Sequence, residues 1–392
     1  MMTNLAIPTR ALDVPVVNEL DKLEHFREFW DKNNANPNAD LDFYKTIITC
    51  RSDMGARPLV FVIKEDDTIR CLIAARLEHV RHVFRIGYLR LPGPKIRKLE
   101  LIHGGMIGTM EEHQATLFAN NVSKIMADNK IDMIYADMLH SDSPLRKSLD
   151  DCTPSLLRNP FFKQQKHYLL NFPESFEALM GQMKSKHRYW IRRQTRLLEE
   201  SCPNHRIALL CRSDEIDRLM EDAEKVAAHT YQRALGRGFI NNDEMRTRLE
   251  LQAGRGRLRA YLLYLDTAPA CFWIGFRQGT TFHLSSTGYD PQYRKMEIGT
   301  VLFYKMVEDL FENGIESVDF GCGEAFYKAR LANEEWSEQT WTRYAATAKG
   351  RFLSVTDICA NFIGINSRKM LEKWGIEQQV KTFMRKAMGR AA

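Results

Sequence analysis

The sequence is as informative in what it lacks as in what it holds. Its 392 residues contain no uninterrupted apolar stretch near the ~18 to 20 residues that span a bilayer. The start, MMTNLAIPTRALDVPVV, has no basic segment followed by a sustained apolar one, so no secretory signal is expected and the protein is expected in the cytoplasm. Cysteines Cys50, Cys71, Cys152, Cys202, Cys211, Cys271, Cys322 and Cys359 form no CxxC pair, and several fall inside apolar strand-like runs. That excludes a disulfide frame or zinc site as the natural expectation; they read as reduced core cysteines, and no metal is expected. There is no Gly-x-Ser-x-Gly elbow to mark a serine nucleophile. The net charge of +6 is modest and suits anionic small ligands without demanding nucleic acid; no DNA partner is expected.

What is present is an ordinary globular composition, 44% hydrophobic and 27% charged, in a chain too long for one core. Two segments about 180 to 200 residues apart repeat the same order of elements, a sign of internal duplication. In the first half Leu59 to Lys64 and Ile69 to Ala75 flank a polar turn, which predicts a hairpin. Strand-like stretches follow at Val83 to Leu91 and Lys98 to Ile102. Next comes a helix with a capping box at Thr109 and Glu112 and with Phe118, Val122, Ile125 and Met126 on one face. Ile131 to Asp137 reads as a buried strand. The second half repeats this with Leu258 to Leu265, Ala270 to Phe276 and Thr281 to Thr287. Its helix begins near Gly299, carries Phe303, Val307, Leu310 and Phe311, and stops at Asn313-Gly314 before the strand Ile315 to Phe320. A last strand closes each half, at Lys166 to Phe172 and Thr340 to Thr347. Ser141 to Phe162 reads as a loop, and Glu174 to Glu200 as one long connecting helix.

The expected fold class is therefore α/β, with two similar mixed, mostly antiparallel sheets flanked by helices and joined by a long basic helix. The expected divisions are residues 1–172, the connecting helix 173–200, a second domain 201–348 and a basic helical tail 349–392. On the connecting helix Lys184, Arg188, Arg192 and Arg196 recur at i+4, joined by Lys186 and Arg193, opposite a stripe of Met183, Trp190, Ile191, Leu197 and Leu198. Such a face is either solvated or a seat for diphosphate or RNA phosphate. The tail mixes Phe362, Ile363, Leu371, Trp374 and Phe383 with cations, which suits packing on its own domain or peripheral membrane contact.

Three motifs in order resemble the FemAB-like branch of the GNAT acyltransferase superfamily, in particular the bacterial CelD-like group associated with polysaccharide biosynthesis. Ser185, Lys186, Arg188, Ile191, Arg192, Arg193 and Arg196 match its basic-helix pattern; Gly288-Tyr289-Asp290-Pro291 with Tyr293 leads to Gly299; Asp319-Phe320, Gly323, Tyr327 and Lys328 match D-F-x-x-G-x-x-x-Y-K. The resemblance implies two tandem GNAT-like domains, the second carrying acyl transfer from an acyl-CoA or acyl-carrier thioester to an amine acceptor such as a sugar or cell-envelope precursor. Aminoacyl-tRNA is the alternative donor, and a non-catalytic binding module the third alternative. In the donor loop, Arg294 and the final glycine are kept, but Glu297 stands where simple GNAT enzymes have a glycine.

Acyl transfer to an amine needs a neutral amine, a stabilised oxyanion and a proton for the leaving group. The candidate catalytic residues are Asp290, Asp319, Tyr327 and Lys328; Arg294, Gly299 and Thr300 are the candidate donor-binding residues. Lys186, Arg188, Arg192 and Arg193 are the candidate phosphate-binding or substrate-binding residues. Asp290 can cap its turn or act on the acceptor amine, and Gly299 can serve close packing or an anion. Asp319 and Lys328 can equally form an ion pair that holds the loop. His229 and His283 can act as bases, although a lone histidine more often only bonds structurally.

Overall fold

The computed structural model describes residues 14–87, 89–230, 233, 238–323 and 325–373. The chain divides into two compact units, one of residues 1–34, 44–164 and 338–392, the other of residues 35–43 and 165–337.

The first unit opens with β1 (Val16–Val17), α1 (Arg27–Asn33) and α2 (Leu41–Cys50). β2 (Arg57–Glu65) and β3 (Thr68–Ile86) form the expected hairpin, turning through Asp66 and Asp67 at φ 46° and 61°, a conformation that Asp tolerates. β3 and β4 (Leu89–Gly108) outrun their neighbours: β2 leaves β3 at Leu77, and β5 joins β4 only at Lys98. Residues 78–86 and 89–97 are thus the two strands of a ribbon. The single strand expected at Val83 to Leu91 is instead the end of β3 and the start of β4, with the chain reversing at Gly87, φ 59°.

α3 (Glu112–Asp128) starts two residues later than the expected box: the Glu111 carboxylate accepts the N3 N–H while Gln114 Oε1 accepts the Glu111 N–H at 3.0 Å. Its Phe118, Val122, Ile125 and Met126 pack on Leu59, Phe61, Leu99 and Leu101 of the sheet, each buried side chain contributing about 1.5–3 kcal/mol. β5 (Met133–His140) runs parallel to β4 from Lys98↔Met133 to Leu101↔Ala136. The stretch expected as a loop contains α4 (Pro144–Asp151), opened by Ser143 Oγ accepting from Arg146 N at 3.2 Å, with Pro144 at the first helical position. Ser and Pro, read as loop composition, were a helix start.

The second unit holds β6 (Gln164–Asn171), α5 (Phe176–Gln182), α6 (Ser185–Ser201), β7 (Arg206–Leu210), α7 (Ile216–Ala227) and α8 (Asp243–Gly254). β8 (Leu258–Leu265), β9 (Ala268–Gln278), β10 (Thr281–Tyr289), α9 (Ile298–Glu312), β11 (Ser317–Cys322) and α10 (Phe326–Leu331) complete it. Its strand order is β6-β11-β10-β9-β8-β7, antiparallel except for β10 beside β11. α9 packs Val301, Leu302, Phe303 and Val307 on Tyr261, Trp273, Phe282, Val318 and Phe320. α7 and α8 cover the opposite face at Leu262, Phe272, Ile274 and Phe276. The chain then returns to the first unit with β12 (Glu334–Tyr344), paired to β5 from Glu338 on, and α11 (Ala348–Lys373).

Pairing therefore overrides chain order. β6 bonds to β11 and belongs to the second unit, not to a domain ending at residue 172; the 173–200 segment lies within that unit rather than between domains. That segment is two helices, not one, broken at Met183-Lys184. Among the described residues, no helix is long and apolar enough to cross a membrane; Trp374 and Phe383 lie outside them.

Candidate active site

The parallel pairing of β10 with β11 covers only Thr281↔Ser317, Phe282↔Val318 and His283↔Asp319, after which the strands part. A bulge follows in β10 between Leu284 and Ser286, and another in β11 between Asp319 and Gly321. Parted strands leave backbone groups and side chains facing a gap, which is where open sheets build sites.

His283 and Asp319 close the narrow end of that gap. Phe282 is in the core under α9, so His283, the next residue, points to the other face. Its Nδ1 lies 3.0 Å from Asp319 Oδ2, while Asp319 Oδ1 accepts from His167 Nε2 at 2.6 Å and from Gly321 N at 2.7 Å. Burial opposes ionisation of Asp319, but the hydrogen bonds from His167 and His283 outweigh it and hold the carboxyl well below the usual carboxylate range. An ionised Asp319 requires a proton on each ring nitrogen that faces it. His283 Nε2 is buried with no hydrogen-bond partner, as is Ser286 Oγ on the same strand. His167 is further held by a stacked contact with Trp336, 4.2 Å between centroids. Sequence reasoning missed His167: it lies 152 residues from Asp319 in chain order, and only the β6–β11 pairing joins them.

Lys328 is 9% exposed, and burial pushes its ammonium down to about 8. Instead of pairing with Asp319, it donates to the carbonyls of Cys322 at 2.9 Å and Gly321 at 3.2 Å, clamping the loop after β11. Tyr327 lies on the α9 face, its ring edge-on to Trp273 at 5.5 Å and to Phe320 at 6.2 Å. Trp273, read from sequence as core, also donates from Nε1 to Gly299 O at 3.1 Å, so it ties the DFGCGEAFYK segment to the start of α9.

That helix start is open. Glu297 takes the N-cap position in the left-handed conformation, φ 49°, and makes no side-chain cap. A Cβ built on Gly299 would meet Tyr289 Cδ1 at 3.6 Å, an ordinary contact, so packing within the protein does not require glycine there. Thr300 Oγ receives Arg330 Nη2 at 3.2 Å, and Arg330 also lies over the Trp190 ring at 5.6 Å. Arg294 is exposed in the preceding turn. Asp290 caps that turn: Oδ1 accepts from Gln292 N at 3.0 Å and Oδ2 from Gln292 Nε2 at 2.8 Å.

The basic helix divides its cations between roles. Arg188 Nη1 donates to Met183 O at 2.7 Å and Gly181 O at 3.1 Å, closing the C-terminus of α5. Lys186, Arg192 and Arg193 are exposed. Lys184 and His187 instead line a cavity of about 430 Å³ together with Met183, Phe303, Tyr304 and Arg330. Burial, and then Arg330, lower the pKa of His187, whose Nε2 lies 3.2 Å from the Tyr304 hydroxyl. His229 is exposed at the end of α7.

The mixed sheet with its parted parallel pair and the helix start beside it are the setting in which residues 185–329 match the family described as acetyltransferase (GNAT) domain. The fold of the chain is similar to the crystal structure of FemX, with TM-score 0.55 and 9% identity over 84% of this chain and 98% of that one. It is also similar to a conserved protein of unknown function from Bacteroides thetaiotaomicron VPI-5482, with TM-score 0.50 and 13% identity over 84% of this chain and 100% of that one. No curated protein matches the sequence. Residues 185–329 thus match an acetyltransferase (GNAT) domain, within a chain whose fold is similar to that of FemX.

Proposed function

We propose that the second unit transfers an acyl group from a thioester donor, acyl-CoA or an acyl carrier, to an amine of a sugar or cell-envelope precursor. The observation that carries this reading is the His283–Asp319 pair at the narrow end of the strand gap, with His283 Nε2 buried and unpartnered. Asp319 holds the proton on Nδ1 and leaves Nε2 as the proton acceptor. In the step proposed, the amine nitrogen attacks the thioester carbon and yields its proton to His283 Nε2. The tetrahedral intermediate then collapses with loss of the thiolate, and Tyr327 protonates the sulfur. The products are an amide and a thiol. His283 and Tyr327 belong to opposite faces of the sheet, which a donor arm threaded between β10 and β11 would reach together.

Donor binding is assigned to the start of α9, where uncapped N–H groups and the helix dipole attract an anion. The fit of Gly299 supports this, since the protein's own packing leaves the glycine unexplained and a close ligand accounts for it. Arg294 and Thr300 flank that start. Lys328 acts by holding the Gly321 and Cys322 carbonyls in place, and Asp290 by shaping the donor turn. Purified protein is offered a panel of acyl-CoA donors and amino sugars, and thiol release is followed. The expected result is release that requires the amine and falls in His283→Ala and Asp319→Ala; full activity in those variants would overturn the site.

Transfer from aminoacyl-tRNA is supported by the exposed Lys186, Arg192, Arg193 and Arg196 of α6. It predicts tRNA binding that weakens steeply with salt, and no binding at low salt removes it.

A further inference from the structure

In the first unit α11 has two unlike faces. Leu353, Asp357, Ala360 and Gly364, spaced for one side of a helix, are buried. Asp357 meets His82 of the ribbon at 2.9 Å, Phe352 meets Phe84 edge-on at 6.2 Å, and Gly364 fits so closely on the ribbon turn that a Cβ there would meet Gly87 N at 2.4 Å. The opposite side carries Val355, Cys359, Phe362, Ile363 and Met370, all exposed, Phe362 by 61%. Leu89 and Leu91, just past the ribbon turn, are exposed as well.

Cations outnumber acids around this face. α11 carries the exposed Arg351, Lys369 and Lys373, while Lys349 pairs with Asp132 at 2.8 Å and Asp357 is buried. Between residues 79 and 99 there are six cations and no Asp or Glu. Arg85 stands directly across from Arg90, and Arg81 across from Lys95. Like charges in cross-strand register destabilise a ribbon, so this arrangement costs stability in isolation and is relieved by an anionic partner.

We propose that α11 and the adjoining ribbon turn form a docking face for an anionic lipid membrane. An apolar stripe bordered by cations, on a helix too polar to span, is the arrangement that lies in a lipid interface, and its cations complement acidic headgroups. Self-association through the same face would set cation against cation. An RNA partner would use the cations but leave an aliphatic stripe of Val355, Ile363 and Met370 facing water.

The test is co-sedimentation of the full chain with vesicles of phosphatidylcholine alone and of phosphatidylcholine with phosphatidylglycerol. Binding is expected on the acidic vesicles, weaker on the neutral ones and reduced by salt. The double variant F362D/I363D is expected to lose binding by about a hundredfold, and R351E and K369E by about fivefold each. Circular dichroism melts and light scattering keep the result interpretable, since all these positions are exposed and the variants are expected to fold with an unchanged mass. No binding to acidic vesicles, or equal binding to both kinds, overturns the proposal. So does an oligomer dissolved by F362D/I363D without vesicle binding, or RNA binding that outcompetes the vesicles.

Discussion

The two units use the same junction for different ends. In each, a parallel strand pair parts beside the helix that follows the first of the two strands. In the first unit the last paired residues are Leu101 and Ala136, both buried in the core, and the helix start is closed by the Glu111 carboxylate and Gln114. In the second the last paired residues are His283 and Asp319, and the helix start at Glu297 has no side-chain cap. The first arrangement satisfies its polar groups internally and contributes stability. The second leaves donors and an imidazole nitrogen unsatisfied, a local cost that a bound ligand would offset.

This contrast can be broken most sharply at the strand junction. His283→Ala is expected to lower kcat by about 10²–10⁴-fold, as for loss of a general base, together with a loss of about 1–3 kcal/mol of stability because the buried Asp319 carboxylate loses one of its donors. Leu101→Ala, at the matching place in the first unit, is expected to cost about 2–5 kcal/mol of stability while leaving kcat unchanged. Equal effects of the two on kcat would dissolve the distinction.

The next effect concerns the buried Lys328. With its value near 8 in the folded protein against the ordinary lysine value of 10.5 in the unfolded chain, the unfolded state binds more protons between those pH values. Stability from this group is therefore present above the ordinary lysine value and lost as pH falls through about 8. Denaturant titrations from pH 7.5 to 10.5 should show a rise, on the order of 1 kcal/mol per pH unit at most, that Lys328→Met flattens.

At the helix starts the changes are smaller and opposite in kind. Gly299→Ala should raise the donor KM by about tenfold, equivalent to 1.4 kcal/mol, with stability unchanged or slightly improved. Glu111→Ala should cost about 1 kcal/mol in thermal unfolding and leave kcat/KM untouched. A donor KM that ignores Gly299 would mean that the α9 start is not the donor seat.

Much of this was legible before the structure. The hairpin at residues 59–75, the strand Leu258–Leu265 and the helix stop at Asn313-Gly314 follow from apolar alternation and turn chemistry, which act over a few residues. Errors arose where one local signal has two meanings: Ser143-Pro144 reads as a loop or as a helix start, and Arg188 as a phosphate ligand or as the cap of the helix before it. The DFGCGEAFYK run marked Asp319, Tyr327 and Lys328 by spacing, yet the sequence offered an Asp319–Lys328 ion pair where the protein pairs Asp319 with two histidines.

By itself the sequence determined the duplicated element order, the chemistry available in each half and the positions of glycine and proline, because these depend on backbone dihedrals and side-chain period. The tertiary structure alone decided that β6 and β12 close the units they do, that His167 meets Asp319, and that one helix start is sealed while its counterpart is open. Those are contacts between residues far apart in the chain, selected by which pairing satisfies the most buried polar groups and apolar surface at once, and no local pattern carries that sum.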